Sequence, residues 1–396
     1  MSDERRATSD EHRGRGLPAC PPARLPDSFC RLPPAVCRLM LALLVALVVI
    51  PGTAGAQRAG GAALAATPGA SPTAVRPAPG PPPVGIGQLY LALGDSLGVG
   101  LLASLPDERG YVPLLRNLLQ QDAGRPLLLQ NLSVSGETAA TMLSGKQLAD
   151  ALDAIKTAHA NGWQVSPITL DIGGNDMQAL LDKDEAAREA GLATFRANYA
   201  QILDRLVAAT TVNGARASDI VTMTVYNPYG GDPALAHSPA WWVQRFNGVI
   251  ADEAAKRGVR VADVYDPFRG HETDYTYMPL DFHPNNRGHE VIAEAFWRTM
   301  GYDTAPPALD LLAPASGPLP RDVPTIKIRA SDNVGVTAVT ATLDGRPLPD
   351  PLYEPQFGLY IGYWDARQAP PGPHTLTVTA ADEAGNTTTR TVTLTR

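Results

Sequence analysis

The chain has 396 residues, 44% of them hydrophobic, with 33 Lys and Arg against 40 Asp and Glu, for a formal net charge of −7. That length has room for two domains and that apolar share can build a full core. An acidic balance without a basic cluster excludes a nucleic-acid binder held by phosphate contacts.

The chain opens on a polar leader, residues 1–36, long for the start of a signal, so translation is expected to begin near Val36. Cys20, Cys30 and Cys37 are the only cysteines and all precede residue 57. Once that segment is removed, the chain has no disulfide, no thiolate ligand and no cysteine nucleophile. The apolar run 39–50 follows Arg31 and Arg38 and precedes Ala54-Gly55-Ala56, a small-x-small cleavage site. Spanning a membrane takes about 20 apolar residues, more than this run supplies, so it reads as a secretory signal cut after Ala56, which leaves no integral membrane domain. What remains carries 26 basic and 35 acidic residues. Residues 57–88, rich in Ala, Gly and Pro, have too few large apolar side chains to bury anything and read as a linker.

From residue 89 to about 305, strand-like and helix-like segments alternate. The runs 89–93, 127–133, 168–172, 220–226 and 259–264 are mostly apolar without polar alternation, which predicts strands buried on both faces. Helical patterns over 111–121, 146–158, 185–209, 240–257 and 286–300 separate them. The expected fold is α/β: a five-stranded parallel sheet flanked by helices, with its site at the C-terminal ends of the strands.

Four segments carry chemistry-bearing residues just beyond such ends or before the final helix. They are LYLALGDSLGVG at 89–100, NLSVSG at 131–136, LDIGGND at 170–176 and DFHPNNRGH at 281–289. In isolation, Asp95-Ser96 would cap a helix and Asn175 would form an Asx-turn. Together and in this order, the four blocks resemble those of the SGNH, or GDSL-type, serine esterases and lipases, whose fold is flavodoxin-like. The resemblance covers residues 89–302 and implies Ser96 as nucleophile and His283 as base. It implies an oxyanion hole from the backbone N–H of Ser96, the backbone N–H of Gly136 and the side-chain amide of Asn175. Ester hydrolysis needs such a set: a nucleophile, a proton acceptor, and donors aimed at the developing charge. Relatives commonly place Asp three residues before the histidine, where this chain has Leu280. Asp281, two before, ranks first as the third member, with Asp274 or a backbone carbonyl as alternatives. His289 is taken as structural. No cofactor and no catalytic metal are expected.

Three other readings compete. GDSLG also fits the nucleophile elbow of α/β-hydrolases, although there several strands normally precede the serine. His271, Asp274, Asp281, His283 and His289 are of metal-ligand type, but their spacing matches no firm metal motif. A non-catalytic adhesion or polysaccharide-binding protein would leave the intact blocks without purpose. The substrate is expected to be a small-molecule or glycan ester. Residues 227–242, rich in Gly and Pro and ending in Trp241-Trp242, either border the substrate pocket or open a helix.

Beyond Tyr302 prolines punctuate the chain and the helical patterns stop. Short Thr/Val-rich runs at 325–330, 336–343, 359–364, 374–380 and 387–395 alternate with turns such as Asp344-Gly345, which predicts an antiparallel β-sandwich over 306–396. Its phrases resemble bacterial immunoglobulin-like modules. It is expected to act as a spacer or attachment unit, with cell-surface or polysaccharide contact the lesser alternative. Tyr353, Tyr360, Tyr363 and Trp364 fit a core better than a sugar platform.

Overall fold

The computed structural model describes residues 81–319 and 321–396. The expected signal segment and residues 57–80 of the expected linker lie outside the described residues. Among the described residues, no helix is long and apolar enough to cross a membrane.

Strands β1 (Leu89–Gly94), β2 (Leu128–Asn131), β3 (Val165–Asp171), β4 (Ile220–Met223) and β5 (Arg260–Ala262) form one parallel sheet in the order 2-1-3-4-5. Successive side chains of a strand point to opposite faces, so a strand covered on both sides must be apolar throughout. In β1, Leu89, Leu91 and Leu93 enter a core with the helices Gln147–Ala160, Glu185–Ala209 and Pro239–Ala255. Tyr90 and Ala92 enter a second core, on the other face, with Tyr111–Ala123 and Asn286–Met300. The edge strand β2 departs from the expected double burial: Leu128 is 52% exposed. With no partner among the described residues on its outer side, it is also shorter than its apolar run.

Side-chain caps open several of the helices, Glu185–Ala209 and Asn286–Met300 among them. Asp184 accepts the Ala187 N–H at 2.9 Å and Asn285 accepts the Gly288 N–H at 3.1 Å, each filling an otherwise orphaned first-turn donor. The tract read as a spacer up to Gln88 is bound to the sheet over its last residues. The N–H groups of Val84 and Gly85 donate to Asp219 Oδ2 at 2.9 and 3.0 Å, and the Arg125 guanidinium donates to the carbonyls of Ile86 and Gly87 at 3.0 and 2.8 Å. Composition hides this, because the anchoring groups are backbone atoms that any residue supplies.

The C-terminal region is a sandwich. One sheet joins Ala308–Ala313, Thr325–Ser331, Leu359–Tyr363 and Leu352–Glu354; the other joins Gly317–Pro318, Thr387–Thr395, Pro373–Asp382, Val336–Leu343 and Arg346–Pro347. Ile326, Ile328, Val339, Leu376, Val378 and Leu394 fill the space between them. The Asp344-Gly345 turn has φ of +50° and +76°, the left-handed pair that a tight hairpin requires. Trp364 is buried in the core, whereas Tyr353 and Tyr363 are exposed. The strand Ala308–Ala313 is absent from the sequence reading because prolines at 306, 307 and 314 mark its ends as a joint.

Candidate active site

Ser96 stands where β1 gives way to a four-residue helix, Ser96–Val99. Asp95 caps that helix, its Oδ1 accepting the Leu97 N–H at 3.0 Å. The capping reading of Asp95-Ser96 is therefore correct for Asp95, and it is compatible with a presented serine. Gly94 must lack a side chain: a Cβ there would lie 1.8 Å from Asp171 Oδ1.

Ser96 Oγ lies 2.8 Å from His283 Nε2, and His283 Nδ1 lies 2.6 Å from Asp281 Oδ1. Asp281 Oδ1 also accepts the backbone N–H of His283 at 2.8 Å. A two-residue separation reaches because Asp281–Pro284 is a strand, paired with Thr276–Tyr277, that folds the carboxylate back onto its own histidine. The Tyr226 hydroxyl fixes this strand from below by donating to the Phe282 carbonyl at 2.9 Å. Partial burial raises the Asp281 carboxyl, but the hydrogen bonds from the His283 backbone and ring, with the histidine's charge, outweigh it and hold it below its ordinary value.

The other titratable groups of this segment are elsewhere. Asp274 Oδ2 lies 3.1 Å from His271 Nδ1, and both are exposed. His289 is fully buried, with Nε2 3.3 Å from the Leu101 carbonyl, and burial pulls its pKa down to about 4. The five residues weighed as a metal set thus divide into three separate groups.

Gly136 adopts φ +82°, a conformation that favours glycine. Among the described residues, neither its N–H nor that of Ser96 has a protein acceptor. Asn175 reaches the site too, but both its amide hydrogens are engaged, to Asp95 Oδ2 at 3.1 Å and to the Glu137 carbonyl at 2.9 Å. One of these must be exchanged for Asn175 to serve a substrate oxygen.

Beneath these residues lies a buried acidic network that sequence reasoning did not single out. Asp171 Oδ1 accepts the Asp95 N–H at 2.6 Å, and its Oδ2 accepts the hydroxyl of Tyr111. Gln147 brackets Gly94, accepting its N–H at 2.8 Å and donating to its carbonyl at 2.9 Å, and also donates to Glu137 at 3.0 Å. Asp176 accepts the Ala139 N–H at 3.0 Å. Burial, reinforced by neighbouring carboxylates, pushes Asp95 up to about 7 and Asp171 well above the ordinary range. The signal for Asp171 was present, an acid ending a mostly apolar strand; Tyr111 and Gln147 offer none.

A pocket of about 40 Å³ opens beside Ser96, lined on its apolar side by Leu97, Met177, Val225, Tyr226, Pro228 and Phe282. The start of the 227–242 segment thus borders it. Its end opens the helix Pro239–Ala255, with Trp242 buried in the core.

Fold and site together define a serine hydrolase acting on ester bonds. The model of the GDSL-like lipase/acylhydrolase family matches residues 92–291, and the chain belongs to that family. A bacterial Ig domain matches residues 307–378. A spore germination lipase of Bacillus licheniformis is 26% identical over 221 residues, 54% of this chain and 96% of its own length. Among solved structures, an acetylxylan esterase from Geobacillus stearothermophilus aligns at 18% identity over 56% of this chain and 97% of its own, with a TM-score of 0.44. An alpha/beta hydrolase enzyme from the metagenome of Lake Arreo, Spain, aligns at 23% identity over 55% and 97%, with a TM-score of 0.40.

Proposed function

We propose that the chain is an exported esterase that cleaves short-chain carboxylic esters through an acyl-enzyme on Ser96. The observation that carries this is the unbroken hydrogen-bonded line from Ser96 Oγ through His283 to Asp281, 2.8 and 2.6 Å long, at the mouth of a small apolar pocket. Ser96 Oγ attacks the ester carbonyl as His283 Nε2 takes its proton. Asp281 holds the ring in the tautomer with Nδ1–H and stabilises the imidazolium. The unclaimed N–H groups of Ser96 and Gly136, with Asn175, receive the oxyanion. His283 then returns its proton to the leaving alcohol, and water repeats the sequence to free the acid.

A pocket of about 40 Å³ has room for about three water-sized groups, which suits an acetyl or similarly short acyl group. Export is supported by the apolar run 39–50 and the small-residue site ending at Ala56. An acyl-length series of chromogenic esters, with acetylated glycans beside it, tests the specificity. Acetyl to butyryl esters are expected to be hydrolysed far faster than decanoyl. A sulfonyl fluoride is expected to modify Ser96, and Ser96→Ala to lose up to about 10⁶-fold in turnover. Undiminished turnover in that variant would end the mechanism, and a preference for decanoyl would end the substrate assignment.

A further inference from the structure

The junction between the parallel-sheet domain and the sandwich gathers carboxylates from three separate stretches of chain. Asp303 follows the last helix of the first domain, Asp332 follows the strand Thr325–Ser331, and Asp382 ends the strand Pro373–Asp382. One oxygen of each lies within 4.8 Å of the others. Asp303 and Asp382 are 5% and 1% exposed. Holding like charges together out of water is strongly unfavourable unless a proton or a cation intervenes.

Local donors satisfy part of the cluster. Asp303 Oδ1 accepts the Ala305 N–H at 3.0 Å, and Asp332 Oδ2 accepts the N–H groups of Val334 and Gly335 at 2.8 and 3.2 Å. Asp382 accepts the backbone and side-chain N–H groups of Asn386 at 2.8 and 3.0 Å. Asp303 Oδ2, however, is buried with no hydrogen-bond partner among the described residues. Asp332, Asp382 and Asp122 all bring negative charge to bear on the Asp303 carboxyl. The Asn386 amide also donates to the carbonyls of Asp303 and Ala305 at 3.3 and 3.4 Å, drawing backbone oxygens of the first domain to the same loop.

We propose that Asp303, Asp332 and Asp382 bind a calcium ion that fastens the two domains together, with one ligand from the first domain and two from the second. An all-oxygen donor set with three carboxylates suits a hard cation. Ligands drawn from turns and strand ends fit the adaptable coordination of calcium better than the strict octahedron of magnesium. None of the three touches Ser96, His283 or Asp281, so the ion acts on the joint and not on the reaction.

Calcium chloride titrated into the chelator-treated full chain, followed by calorimetry and by thermal unfolding, tests this. One ion is expected to bind per chain, with Kd between about 10⁻⁵ and 10⁻³ M, and to raise the unfolding midpoint. Asp303→Asn and Asp382→Asn are each expected to weaken binding by about tenfold or more, since fewer ligand charges lower affinity. Ester turnover well below the midpoint is expected to be unchanged by chelator. If the buried variants fail to fold, Asp332→Asn, at the half-buried position, serves instead. Absence of both binding and a midpoint shift in the unaltered chain would overturn the proposal. So would wild-type calcium affinity in the substituted chains, because the ion would then sit elsewhere.

Discussion

Beneath Ser96, Asp95 and Asp171 are withdrawn from water, yet their carboxylate oxygens meet neutral donors: the N–H groups of Asp95 and Leu97, the Tyr111 hydroxyl and the Asn175 amide. At the domain junction Asp303 and Asp382 are as deeply buried, but Asp303 Oδ2 has no hydrogen-bond partner among the described residues. Burial is common to both places, so burial does not distinguish them. The supply of donors does. A carboxylate surrounded by neutral donors is a scaffold that ties backbone and side chains into one arrangement. One gathered with other carboxylates and left short of donors is arranged for a cation.

Asp281 sharpens this contrast as a third kind of carboxylate, partly exposed and held in its ionised form by the histidine it orients. Asp281→Asn is expected to leave KM nearly unchanged and to lower turnover, toward the about 10⁴-fold loss seen when a triad acid is neutralised. The interaction strengthens only as charge develops on His283, which is why turnover and not binding responds. Asp274→Asn is expected to behave as wild type, because Asp274 faces His271 at 3.1 Å. Steady-state kinetics on the two variants decides the assignment; near-normal turnover for Asp281→Asn would leave the ring oriented by something else.

A smaller effect is expected where the scaffold meets the reacting atoms. Asn175→Ala removes a candidate oxyanion donor and is expected to cost about 10²–10³ in turnover. It also leaves Asp95 Oδ2 and the Glu137 carbonyl without their shared donor. Wild-type kcat in Asn175→Ala would show that the amide serves the scaffold alone and that the N–H groups of Ser96 and Gly136 suffice for the oxyanion.

The same contrast explains what the sequence disclosed. The parallel sheet was legible because double burial forces continuous apolar runs, and Glu185–Ala209 and Asn286–Met300 match their sequence patterns end to end. Ser96, Gly136, Asn175, Asp281 and His283 could be named because they sit in short, distinctive blocks, and the structure draws them to one edge of the sheet. Tyr111, Gln147 and Asp171 support that edge from three distant stretches, and nothing local to any of them announces a shared hydrogen bond. Asp303, Asp332 and Asp382 are likewise ordinary acids of loops and a strand end until folding brings them together. Partners decided by tertiary approach leave no periodic trace, whereas apolar faces do.

The gentlest test of the scaffold reading is its response to pH. Asp95 is raised from 3.8 to about 7 by burial and by its acidic neighbours, and Asp171 is raised well above its ordinary value. Between the unfolded and folded values the folded chain keeps protons that the unfolded chain has released. Stability therefore falls as pH rises from about 4 to about 7, at up to about 1.4 kcal/mol per pH unit for each retained proton, and from Asp95 it levels above that window. Asp171→Asn keeps an oxygen for the Asp95 N–H and lets the Tyr111 hydroxyl turn to accept from the new amide, so the fold is expected to survive. It removes one of the two titrating groups and the charge beside Asp95. Denaturant unfolding from pH 4 to pH 8 is accordingly expected to show a shallower decline in Asp171→Asn than in the wild type. Identical slopes would mean that the pair is ionised throughout and that the hydrogen bonds, without a retained proton, hold the two carboxylates together.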